Sequence, residues 1–221
     1  TGDQSDSCDS GTSWSSKGAT QLNTSLSQVF SHNDDLLGMY LLNGTGEEMT
    51  NRGVDGTSYG GVTADTDRLG ISGGASRFDG DDTYIDISGK ALNITSDITL
   101  STWFYAESYP STYRKNLIYL GDDGNDEELF MGYDAEHTGD VFQLGYYRNN
   151  WNGVWTTNRP SLASWHHATC TYASSSGNWS CYLNGSLLHE VNDPFSLDLS
   201  QQPDNSIGNG GSPSEDQFDG L

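Results

Sequence analysis

Along this chain the apolar residues fall at alternate positions in short runs, and nowhere do they repeat at the 3.6-residue spacing of a helix. The clearest run is Ile98 to Tyr105, Ile-Thr-Leu-Ser-Thr-Trp-Phe-Tyr. Ile98, Leu100 and Phe104 share one side of it, and Trp103 and Tyr105 share the other. Apolar groups on both sides predict a strand covered on both faces. Further strands are predicted at residues 38–42, 84–88, 116–120, 128–133, 141–147, 165–172, 179–183 and 186–191, with Gly, Asn and Asp clusters between them. Many brief strands at this spacing, without an internal repeat, predict an all-β, two-sheet antiparallel sandwich.

That pattern covers residues 34–221. Residues 1–33 are rich in Ser, Thr, Gly and Asp, with Leu22, Leu26, Val29 and Phe30 as sparse anchors. Such a stretch cannot bury enough surface to order itself. An irregular N-terminal arm is therefore expected, packed on its own sandwich or on a neighbour.

Composition narrows the partners. A hydrophobic content of 33% fits short strands joined by long loops. The 31 acidic residues against 9 basic ones leave a net charge of −22. Nucleic acid is excluded, because phosphate binding needs Lys and Arg to displace counterions. Anionic lipid surfaces are disfavoured on the same ground. No apolar run approaches the ~18 residues of a membrane span. Cations, calcium above all, and neutral or basic ligands stay compatible, and so does a charge that serves solubility alone. The sequence starts at Thr1 without a signal peptide, as expected of a mature or excised segment.

The three cysteines are Cys8, Cys170 and Cys181. If residues 173–178 close a hairpin with Ala173 opposite Asn178, then Tyr172 faces Trp179 and Cys170 faces Cys181. A cross-strand disulfide is expected, with two buried free thiols as the alternative. The disulfide implies an oxidising, secreted or cell-surface setting. Cys8 is left for an intermolecular bond to another chain or for a partner beyond Leu221. Asn23, Asn43, Asn93, Asn178 and Asn184 begin N-glycosylation sequons, a number that abundant Ser and Thr produce largely by chance. Asn184-Gly185 also reads as a two-residue hairpin turn.

Four segments occur in order: Leu37-Gly38-Met39-Tyr40-Leu41-Leu42-Asn43-Gly44; Asp55-Gly56-Thr57 with Ala75-Ser76-Arg77-Phe78-Asp79-Gly80-Asp81-Asp82-Thr83-Tyr84-Ile85; Ile98 to Phe104; and Trp165-His166-His167-Ala168 with Tyr182-Leu183-Asn184-Gly185-Ser186-Leu187. Together they resemble the laminin G-like, concanavalin-type jelly-roll superfamily that includes pentraxins. They match its opening strand, its Phe-Asp-Gly element, its central Trp strand and its Trp-His-His and Asn-Gly hairpin run. The resemblance implies a jelly-roll sandwich. It also implies a calcium at the rim, where Asp79, Asp81 and Asp82 would supply hard oxygens and Asp219 would approach. In that superfamily Phe-Asp-Gly leads into a closing strand. Here the sequence stops at Phe218-Asp219-Gly220-Leu221, so either the chain is truncated there or the closing strand comes from elsewhere, and an unfilled position would leave an open edge.

Other candidate chemistry is read from the residues themselves. Asp122, Asp123 and Asp126 form a second acidic loop, either a cation site or a solvated turn. The run Tyr146 to Trp155 offers Tyr146, Tyr147, Asn150, Trp151 and Trp155 for a glycan, or for the core. His166 and His167 are adjacent on a strand, point to opposite faces and cannot chelate one ion. No pair of carboxylates has the same-strand spacing that glycoside hydrolysis requires, and no nucleophile elbow or phosphate loop occurs. The expected function is an extracellular, non-catalytic recognition or adhesion module for glycan or protein, assisted by calcium. The alternative is a structural subunit of a filament, sheath or surface assembly, joined to copies of itself or to a larger parent through residues 1–33, Cys8 and the C-terminal edge.

Overall fold

The computed structural model describes residues 35–50, 53–89, 92–111, 114–122, 127–135, 141–147, 150–199, 204–210 and 217–221. The arm at residues 1–33 with Cys8 and Asn23, the loop residues Asp123 and Asp126, and the side chain of Asp122 lie outside the described residues.

Among the described residues every element is a strand, and every pairing is antiparallel. The strands are β1 (Thr57–Tyr59), β2 (Thr63–Asp65), β3 (Ala75–Asp79), β4 (Tyr84–Asp86), β5 (Ile98–Tyr105), β6 (Arg114–Asp122) and β7 (Glu127–Asp134). They continue as β8 (Val141–Tyr147), β9 (Trp151–Thr156), β10 (Trp165–Ala173), β11 (Asn178–Leu183), β12 (Ser186–Asn192), β13 (Ser206–Ile207) and β14 (Asp219–Gly220). One sheet has the order β1-β4-β13-β6-β7-β8-β9. Facing it are a four-stranded piece, β12-β11-β10-β5, and a three-stranded piece, β14-β3-β2. β14 joins these two pieces into one layer. It pairs with β3 on one side, and on the other Tyr105 and Leu221 exchange two backbone hydrogen bonds of 2.8 and 2.9 Å. The result is a jelly-roll-type sandwich of two layers.

The alternation along β5 explains the core. Ile98, Leu100 and Phe104 are buried, while Thr99 and Ser101 face solvent. Phe104 lies parallel to Phe142 of the opposite sheet at 5.8 Å between centroids, with Tyr133 edge-on at 6.1 Å. A second cluster stacks Tyr172, Trp179 and Phe195 at 4.4 to 5.3 Å. The predicted hairpin has the predicted register: Ala173 opposite Asn178, Tyr172 opposite Trp179, and Cys170 opposite Cys181. The two cysteines are bonded to each other. Leu183 pairs with Ser186 around Asn184 and Gly185, whose φ angles of 50° and 79° make the left-handed two-residue turn that an Asn-Gly pair favours.

Three expectations are corrected. Trp103 is not covered: it is 44% exposed, so β5 is buried on one face only. Its indole lies across His167 at 5.0 Å and under the Arg68 guanidinium at 4.2 Å instead of entering a second interior. Residues 38–42 do not form a strand beyond a single bridge between Tyr40 and Glu48. Their apolar residues run consecutively without alternating, and the Met39 N–H donates to the Glu48 carboxylate at 2.9 Å rather than to a neighbouring strand. Asp219–Leu221 run between β3 and β5. Finally, residues 84–88 shorten to Tyr84–Asp86, since the Asp86 carboxylate accepts from the Ser88 N–H at 2.8 Å and turns the chain.

Candidate functional site

The outer face of β6 to β9 gathers the densest set of aromatic and amide groups. Leu129, Met131 and Tyr133 of β7 and Phe142, Leu144 and Tyr146 of β8 belong to the core. Period-two alternation therefore points Phe130, Gly132 and Asp134, and Gln143, Gly145 and Tyr147, away from that core, where all of them but Tyr147 are nonetheless buried. Registers across the four strands align Asn116, Gly132, Gln143 and Trp155 in one row, and Tyr119, Phe130, Gly145 and Gly153 in the next. The central glycines are required by close approach. A methyl on Gly132 would strike the Lys115 carbonyl, and one on Gly145 would lie 2.7 Å from the Phe130 ring. Their absence of side chains keeps the floor between the two amides flat.

Polar groups stand along this floor. The Gln143 amide donates to the Asp134 carboxylate at 2.6 Å. Arg114 reaches Glu128 at 3.2 Å and lies over the rings of Phe130 and Trp151 at 4.5 and 5.2 Å. Trp151 meets Phe130 edge-on at 5.7 Å and Tyr147 at 4.7 Å. Asn116 is fully buried, and among the described residues neither its side-chain nitrogen nor its oxygen has a hydrogen-bond partner. An amide left so costs about 1–3 kcal/mol for each unmade bond.

Of the predicted glycan residues, Tyr147, Trp151 and Trp155 come together here, each half-buried, and Asn150 is exposed beside them. Tyr146 does not join them. The alternation of β8 sends it into the core against Phe195 at 4.4 Å. Arg114, Asn116, Asp134 and Gln143 escaped sequence reading because only the cross-strand register brings them into one row.

The predicted calcium rim is partly assembled. Asp79 and Asp219 are direct cross-strand partners, whereas Asp81 and Asp82 are exposed on the loop between β3 and β4. One Asp79 oxygen accepts from the Asp81 N–H at 3.0 Å and the Thr83 hydroxyl at 2.8 Å, which closes the loop. Asp219 accepts from the Ser108 hydroxyl and has the Lys115 ammonium 4.0 Å away. Burial lowers the Lys115 pKa, and Asp219 opposes that shift. Among the described residues no three His, Cys, Asp or Glu side chains converge on one point. His166 and His167 do face opposite ways: His166 is buried beside Ser161 at 3.1 Å, and His167 turns outward to Ser101 at 3.0 Å. Among the sequons, Asn43 and Asn93 are exposed. The amides of Asn178 and Asn184 are engaged, Asn178 with Asn192 at 2.6 Å and Asn184 with the His167 N–H at 2.9 Å.

The donors around Asp79, first the Asp81 N–H and then the Thr83 hydroxyl, hold its carboxyl below the ordinary value. A folded pKa beneath the unfolded one gives stability above the unfolded pKa, lost as pH falls through the folded pKa. Unfolding midpoints in urea are expected to hold down to about pH 4 and to fall below it. Asp79→Ala should start lower and lose less on acidification. Parallel acid losses in the two proteins would contradict this role.

Similarity to known proteins agrees with this architecture. The Laminin G 3 family model, described as the concanavalin A-like lectin/glucanases superfamily, matches residues 79–221. No curated protein matches the chain. Among solved structures, the chain is similar to domain 4 of AbnA, a GH43 extracellular arabinanase from Geobacillus stearothermophilus, in complex with arabinotriose. The identity is 15% and the TM-score 0.66, over 84% of this chain and 88% of that one. A leech intramolecular trans-sialidase aligns at 10% identity and a TM-score of 0.50, over 65% of this chain and 23% of that one. Domains LG4-5 of the mouse laminin alpha1 chain align at 14% identity and a TM-score of 0.43, over 65% and 38%. With a family model matching more than half its length, the chain belongs to the concanavalin A-like lectin/glucanases superfamily.

Proposed function

We propose that this chain is a non-catalytic, extracellular recognition module that binds a neutral oligosaccharide on the outer face of β6 to β9. The observation that carries this reading is the Asn116 amide, buried and without a partner among the described residues, in a row with Gln143 and Trp155. Adjacent sugar hydroxyls offer one donor and one acceptor, which an amide matches pairwise. Sugar C–H faces pack on aromatic rings, here Tyr147, Trp151 and Trp155. A net charge of −22 favours neutral over acidic sugars. The arabinotriose bound by the arabinanase domain of the same fold lends support to the ligand class. The disulfide supports a secreted or cell-surface setting.

Calcium is a separate, accessory proposal at Asp79, Asp81, Asp82 and Asp219. The fit is partial, because Lys115 stands beside Asp219. A glycan array read with and without a chelator tests both. Binding of neutral oligosaccharides is the expected result, and a loss on chelation would support the calcium. Binding that the chelator leaves untouched removes calcium and keeps the sugar. An array without neutral binders in either condition overturns the function.

A further inference from the structure

The rim that carries Asp79, Asp81, Asp82 and Asp219 already holds a cation of the chain's own. On β6, Lys115 pairs with Tyr133, whose ring belongs to the core, so alternation turns Lys115 to the inner side of its sheet. From there its side chain crosses to the other layer. Its ammonium donates to the Ser108 hydroxyl at 2.9 Å, and that hydroxyl donates to Asp219 Oδ2, itself 4.0 Å from the ammonium. The side chain is 14% exposed, so the charge is seated in the rim rather than extended into solvent.

The loop between β3 and β4 is shaped around it. Gly80 has a φ of 74°, and a Cβ there would lie 2.7 Å from the Asp219 Cβ and 3.3 Å from the Lys115 nitrogen. Any side chain at Gly80 would press on both partners. Asp79 and Asp219 are cross-strand neighbours, and Asp81 and Asp82 follow on the loop, so like charges crowd this stretch of an acidic chain. A cation among them lowers their repulsion. Calcium asks for roughly 6–8 oxygens, and one Asp79 oxygen is already taken by the Asp81 N–H and the Thr83 hydroxyl. An ammonium is satisfied by far fewer acceptors.

We propose that the Lys115 ammonium is the resident cation of this rim, tying the two layers together through Ser108 and Asp219, so that calcium enters only by displacing it. The inference rests on the accessory calcium reading for the position of the rim, and it adds the condition on which calcium binds there. A tethered charge is held at a fixed, high local concentration, so it steadies the rim whatever the calcium level outside. A divalent ion arriving at Asp219 meets a positive charge 4.0 Å from that carboxylate and is repelled until the ammonium moves away.

The test titrates calcium chloride into the whole chain, first stripped with a chelator, and into Lys115→Met, which keeps the side chain's length and loses its charge. Isothermal titration reads affinity, and urea unfolding reads stability. Lys115→Met is expected to bind calcium at least about tenfold more tightly than the unaltered chain, because the positive charge beside the site is gone. Its urea midpoint should fall in chelator and recover in calcium. Adding Asp219→Asn should abolish the gain, and Lys115→Arg, which keeps the charge, should show none. Equal or weaker binding by Lys115→Met, or a gain in Lys115→Arg, overturns the inference and leaves the calcium reading standing. A gain that survives Asp219→Asn overturns it too, since the calcium then sits elsewhere. So does a Lys115→Met chain that fails to fold even in calcium, because a free cation then cannot replace the tethered one. Calcium bound by none of these proteins overturns both the inference and the calcium reading.

Discussion

Phe104→Ala is expected to destabilise the fold by about 3–5 kcal/mol, the usual range for a buried phenylalanine cut to alanine. Phe104 is 1% exposed and is where the two layers meet: its ring is parallel to Phe142, edge-on to Tyr133 and tilted against His166 at 5.7 Å. Those partners sit on strands fixed by ladder bonds on both sides, so they cannot move in to fill the space. The loss combines burial of the ring with the cavity that stays behind. Set against a typical total stability of about 5–15 kcal/mol, it is a third or more of what holds the domain together. Urea unfolding checks it, with the midpoint falling and the slope unchanged. A cost below about 1 kcal/mol would mean that the interior is not organised around this stack.

The second large effect belongs to the sugar face. Trp151→Ala is expected to weaken oligosaccharide binding about 30-fold, the consequence of removing an anchor worth about 2 kcal/mol. Trp151 lies on the edge strand of its sheet and is half-buried, so its loss leaves the core stacks intact. Its contacts with Tyr147, Phe130 and Arg114 hold the indole in one orientation, which a ligand would otherwise have to impose at an entropic cost. Isothermal titration beside a thermal melt separates the two roles. Unchanged affinity in a folded variant would move the site elsewhere.

Much of the fold was legible in the chain because alternation carries it. The β10–β11 hairpin followed from counting outward from residues 173–178, and the Asn184-Gly185 turn from its own chemistry. The inward set of β5 was equally plain, but the fate of Trp103 was not. A tryptophan on the outer side of a strand reads the same whether another layer covers it or a neighbouring Arg and His shelter it. Residues 38–42 misled for a related reason: strand-like composition predicts extension, but a strand also needs a partner edge. The sugar face was half visible. Tyr147, Trp151 and Trp155 drew notice as an aromatic cluster, and the period of two along β8, applied strictly, would have placed Tyr146 in the core beside Leu144. Asn116 and Gln143 gave no sequence signal, since their alignment exists only once β6, β7 and β8 are in register.

The most direct test of the account is an NMR titration of a neutral oligosaccharide from the array, followed at the side-chain amide of Asn116. The account predicts that this NH2 pair shifts progressively and saturates together with the Gln143 amide and the Trp155 indole. A ligand that binds while these three signals stay fixed and the resonances around Trp103 move instead would contradict it.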